Sequence, residues 1–119
     1  GINDWITYYY NQSSYITPAQ MTTNLRSLVE RASRGGSRAV ALGTQMLSQP
    51  NELVTATHMA AYVEATRDLA SQLDLPLIDV AQAFGPWSEA NHFGWAEDGV
   101  HYNRTAQADI AAQFAVLFS

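Results

Sequence analysis

Two short apolar runs, Ser37-Arg38-Ala39-Val40-Ala41-Leu42-Gly43 and Pro76-Leu77-Ile78-Asp79-Val80, are separated by a long stretch of helix formers. That arrangement constrains the chain most. Strands joined through a helix pair in parallel, and nearly continuous apolar strands are those covered on both faces. The flanking segments agree. Thr17-Pro18 is an N-cap with Pro at the first helical position, and Met21, Leu25, Leu28 and Val29 recur at helical spacing, predicting a helix over about 18–33 that Gly35-Gly36 stops. Leu53, Met59, Tyr62, Val63 and Leu69 predict a long helix over 52–73, ended by Asp74 and Pro76. A Gly-, Asn- and aromatic-rich loop is expected from Phe84 to about Asn103. A closing helix over 104–118 is expected to pack through Ile110, Phe114, Ala115 and Phe118. The opening residues, with the aromatic stretch Trp5 to Tyr10 ending in Asn11-Gln12-Ser13-Ser14, read as the tail of a strand entering a loop.

The alternation predicts an α/β fold, a parallel sheet layered by helices. At 119 residues there is room for one domain, 1–119. Only two complete strands are visible, whereas such sheets ordinarily need four or more to bury their apolar surface. The expectation is a C-terminal part of a domain whose N-terminal strands lie on a preceding segment or chain. With 47% apolar and 14% charged residues, the composition excludes a disordered tail. The six basic residues are all Arg, scattered, and outnumbered by eleven acidic ones, so nucleic acid is excluded as a partner. No apolar run reaches the roughly 20 residues needed to cross a bilayer. Zero Cys excludes disulfides, a thiolate nucleophile and Cys-based metal sites, and three scattered histidines make no metal constellation. The absence of Lys and Cys is compatible with secretion.

Chemistry concentrates at the two ends of the chain. In Asp98-Gly99-Val100-His101, the Asp three residues before the His can accept the imidazole Nδ1 proton and leave Nε2 as a base. Asn3, at the carboxyl end of a strand, carries an amide able to donate toward an oxyanion, and open α/β sheets place their ligand crevices at such ends. Either group alone also suits an ordinary turn. Trp87, Phe93 and Trp95 in the long loop, and Trp5 with Tyr8, Tyr9, Tyr10 and Tyr15 near the start, are candidates for pocket walls or for loop anchors. His58 reads as a surface or packed histidine within a helix.

Together, Gly1-Ile2-Asn3-Asp4 and Asp98-Gly99-Val100-His101 resemble the third and fifth blocks of the SGNH hydrolases, the GDSL lipase and esterase family. Leu75-Pro76-Leu77-Ile78-Asp79-Val80 is similar to the strand that commonly precedes the fifth block. The resemblance implies a three-layer, flavodoxin-like α/β/α fold and a cofactor-free serine ester hydrolase. His101 would be the general base, Asp98 its orienting partner and Asn3 an oxyanion-hole donor, with Trp95, Phe93 and Trp5 near the substrate. The family's Gly-Asp-Ser block and the second block, with its Gly donor, are absent from this chain, so the nucleophile is expected on a preceding segment or partner chain. Tyr102 and Ala106 stand where members often have Pro and Gly. A small ester, with a short acyl group such as acetyl on a carbohydrate, is the expected substrate. The alternative is a noncatalytic carbohydrate-binding or structural domain of a larger extracellular or viral assembly that keeps the fold.

Overall fold

The computed structural model describes residues 16–37, 39–50 and 55–119. Helix α1 (Pro18–Arg34) begins where Thr17 closes a reciprocal capping box: its hydroxyl accepts from the Gln20 amide, and the Gln20 side chain accepts from the Thr17 amide. Two otherwise orphaned amides are thereby satisfied. Arg31 and Arg34 complement the dipole in the last turn, and Gly36, at φ 86°, turns the chain out of the helix.

Strand β1 (Leu42–Gly43) and strand β2 (Leu77–Ile78) pair in parallel, with Leu42 opposite Leu77 and Gly43 opposite Ile78. Between them runs α2 (Ala56–Gln72), capped by the Thr55 hydroxyl. The parallel pairing and the helical crossover match the sequence expectation, but the ladder is two residues long instead of spanning the apolar runs. Its bonds run from the Leu42 amide to Pro76 and from the Thr44 amide to Ile78. Pro76 has no N–H to extend the ladder backward, and Asp79 turns β2 directly into a helix.

The period of two sorts the strand side chains to opposite faces. Leu42 and Leu77 pack with Leu69 and Ala70 of α2 and with Leu25 and Val29 of α1. Ile78 points the other way, into a cluster with Val80, Phe84, Ala90, Tyr102 and Ala106. The result is a helix-rich fold with a small parallel sheet held between two helical layers, an arrangement of the α/β kind. The face that α2 buries carries Met59, Tyr62, Val63, Thr66, Leu69 and Ala70, spaced three or four residues apart or adjacent, as one side of a helix requires. Cutting Leu69, 2% exposed, back to Ala removes a core contact of the class that costs about 2–5 kcal/mol.

Two features differ from expectation. Two short helices stand outside the expected elements: α3 (Val80–Phe84), which begins at the last residue of the expected strand and ends where the expected loop begins, and α4 (Trp87–His92), inside that loop. Asp79 caps the first, Gly85 at φ 66° breaks it, and Pro86 precedes the second. The closing helix, α5 (Arg104–Phe118), has the expected bounds and is capped by the Asn103 side chain, which accepts from the amides of Thr105 and Ala106. Its expected apolar face is buried only at the start. Ala106 is fully buried and Ile110 partly, while Phe114 is 38% and Phe118 54% exposed. The two strands found among the described residues make a sheet too narrow to cover four turns of helix. Among the described residues no helix is long and apolar enough to cross a membrane.

Candidate active site

The segment from Trp95 to Asn103 folds back on itself. The Glu97 amide donates to the His101 carbonyl at 2.9 Å, the Asn103 amide to the Trp95 carbonyl at 2.8 Å, and Ala96 bridges Tyr102 in antiparallel fashion. Alternation along this short ladder sends Tyr102 inward and His101 outward. Tyr102 is 2% exposed and meets Phe84 edge-on with ring centroids 5.1 Å apart, so the core fixes the residue next to the candidate base.

At the tip of this fold Asp98 uses both carboxylate oxygens. Oδ1 accepts from the amides of Val100 and His101, each at 2.7 Å, closing the turn. Oδ2 lies 2.9 Å from His101 Nδ1. The hydrogen bond from the imidazole, then those from the two amides, hold the Asp98 carboxyl down at about 2. Reciprocally, the hydrogen bond to Asp98 and its negative charge, with a smaller contribution from Glu97, raise the His101 imidazole above its ordinary value. A carboxylate engaged at Nδ1 selects the tautomer that leaves Nε2 as the basic nitrogen. Both side chains remain open to solvent.

His101 also lines a cleft of about 560 Å³ at the carboxyl ends of β1 and β2, with Gly43, Thr44, Gln45, Met46, Val80, Val100, Ile110 and Phe114. This is the position at which open parallel sheets collect ligands, and the volume lies within the range of small-molecule sites. The walls are mostly apolar.

Beneath the cleft is a polar network. The Thr44 hydroxyl donates to Asp79 Oδ1 at 2.9 Å and accepts from the Ala81 amide at 2.9 Å. Asp79 also receives Arg67 Nε at 2.8 Å and Nη2 at 3.1 Å, and Arg67 pairs in addition with Glu64. Burial pushes the Asp79 carboxyl up, but the hydrogen bonds from Arg67, the Gln82 amide and Thr44, with the Arg67 charge, outweigh it and hold the group below its usual value. The ends of both strands are thus tied to α2 and α3.

The structure brings Asp98 and His101 together at the cleft. Trp95 and Phe93 do not line that cleft: Trp95 meets Phe84 edge-on at 5.2 Å, and Phe93, 62% exposed, lies against Trp95 at 5.1 Å. Asn3 and Trp5, with Tyr8, Tyr9, Tyr10 and Tyr15, lie outside the described residues. His58 is half-buried on α2, its ring 5.9 Å from that of Tyr62, and His92 ends α4 beside Phe93. Among the described residues no group of His, Asp and Glu could hold a metal ion. Sequence reasoning missed the Thr44–Asp79–Arg67 network and the cleft walls from Met46, Val100 and Ile110. The one local signal was the Asp directly before a helical segment, an N-cap position. No protein-family model matches the chain, and no curated protein matches it significantly.

Proposed function

We propose that the chain is the C-terminal part of an SGNH-type ester hydrolase. The observation that carries this is the 2.9 Å contact between His101 Nδ1 and Asp98 Oδ2 at the mouth of a cleft formed at the carboxyl ends of parallel strands. Apolar residues of α5 that stay exposed among the described residues, Phe114 and Phe118 included, favour a larger sheet; in this reading the rest of that sheet carries Gly-Asp-Ser.

In the proposed reaction, His101 Nε2 takes the proton of that serine as its oxygen bonds to the ester carbonyl carbon. The oxyanion is held by Asn3 and upstream backbone donors. The imidazolium then gives its proton to the departing alkoxide, leaving an acyl-serine. Water repeats the sequence: His101 takes its proton, the hydroxide oxygen adds to the acyl carbon, and the serine oxygen leaves with the proton, releasing a carboxylic acid. Asp98 holds the imidazole and offsets its charge at both stages. The apolar cleft walls suit the acyl end of a short-chain ester, acetyl groups on carbohydrate included.

The test is hydrolysis of a chromogenic acetyl ester by the chain joined to its Gly-Asp-Ser-bearing segment. His101→Ala is expected to lower kcat about a hundredfold or more, and Asn3→Ala about a hundredfold. Unchanged turnover in both variants overturns the assignment and leaves the noncatalytic domain as the better description.

A further inference from the structure

We propose that Trp87 is a positioning residue for the Asp98–His101 pair, acting through its indole N–H on the backbone of the turn that carries both. The pair sits on an exposed turn, and Asp98 Oδ1 is already committed to the amides of Val100 and His101. The carboxylate's direction therefore follows the orientation of the turn's peptide planes. Two consecutive planes are held from outside. Trp87 Nε1 donates to the Asp98 carbonyl at 3.3 Å, and the Gln49 amide donates to the Gly99 carbonyl at 2.8 Å.

These donors come from different parts of the fold, the first residue of α4 and the loop that follows β1. Neither bond is local, so each transmits the position of the core to the turn. Gln49 also lies across Gly99: a Cβ there would come within 2.9 Å of Gln49 Oε1, so the closeness uses the missing side chain of glycine. The Gln49 contact is made by a backbone amide. Trp87 is the side chain of the two, and it is partly buried, with a bond that a single isosteric change removes.

If the N–H holds the Asp98 peptide, removing it loosens the carboxylate from both the imidazole and the two turn amides. The bearing on catalysis rests on the proposed role of His101, but the geometry is read on the chain itself, without hydrolysis. The experiment compares Trp87→Phe with Trp87→3-benzothienylalanine, which keeps the bicyclic shape and replaces N–H by sulfur. The readouts are the NMR titration of the His101 ring and amide hydrogen exchange at Val100 and His101. Both variants are expected to move the His101 midpoint down toward that of a free imidazole and to speed exchange at both amides about tenfold, as loss of one hydrogen bond implies. Far-UV circular dichroism of each variant serves as the control for the fold. Two results overturn the proposal: no change in either variant, or a change with Phe alone, which would assign the effect to ring shape. Neither result touches the ester-hydrolase proposal, which fails only through the turnover of the His101 and Asn3 variants.

Discussion

The hydroxyl of Thr44, at the end of β1, donates to the carboxylate of Asp79, at the end of β2, across 2.9 Å, and in the same position accepts from the Ala81 amide. One side chain thereby locks two strand ends and the start of α3. Thr44 is 5% exposed, so its partners have little water to replace it. Thr44→Val, nearly isosteric, is expected to lower the unfolding free energy by about 1–3 kcal/mol, measured by urea denaturation, and Thr44→Ser to restore most of it. Equal stability of all three proteins would show the network to be idle.

The Arg67–Asp79 pair makes the fold acid-sensitive in a defined direction. Although burial opposes it, the net effect of the surrounding donors is a folded-state carboxyl lowered from 3.8. A depressed carboxyl contributes stability that is fully present above the unfolded value and is lost as pH falls through the folded one. Asp79→Asn is therefore expected to be less stable than the parent at neutral pH and to converge with it under strongly acidic conditions. Chemical denaturation of both proteins across pH checks this.

For His101 the sign is the opposite. Its folded-state value is raised above 6.5, so the contribution to stability is present below 6.5 and fades as pH rises through the folded value. Asp98, held at about 2, contributes above 3.8 and loses that contribution as pH falls toward 2. The contact is at full strength between those limits. For the proposed hydrolase, kcat/KM is expected to rise with pH through a midpoint above 6.5, because the neutral imidazole would be the base. Asp98→Asn is expected to shift that midpoint down and to lower the plateau about a hundredfold or more. A pH profile that Asp98→Asn leaves in place would remove Asp98 from its assigned role.

The last turns of α5 carry Val116, Leu117 and Phe118 at 75%, 42% and 54% exposure. Replacing Leu117 and Phe118 by Ser removes apolar surface that the described residues do not cover. The expected stability change is within about 0.5 kcal/mol, with lower binding of a hydrophobic dye and less self-association by sedimentation. A loss of several kcal/mol in the isolated chain would mean that this face already has a partner within it.

The alternation of helices with short apolar strands, the bounds of α5, and the Asp98–His101 spacing were all legible from local pattern, because caps, periodicity and i to i+3 geometry operate within a few residues. The start of α1 was equally plain in Thr17-Pro18. Hidden were α3, between the second strand and the long loop, and α4 within that loop, whose helical turns are too short for periodicity to reveal. The aromatic residues there were hard to sort for the same reason: Trp95 packs on Phe84, a relation that depends on where the chain returns, not on its neighbours in sequence.

What the amino-acid order determined by itself was the fold class and the chemical identity of the exposed pair. Only the tertiary structure decided that this pair lies at the cleft where β1 and β2 end, that Thr44 and Arg67 converge on Asp79, and that Trp87 and Gln49 grip the turn from two sides. Those are contacts between residues separated by up to 50 positions, formed when burial of the apolar faces brings the strands and helices together.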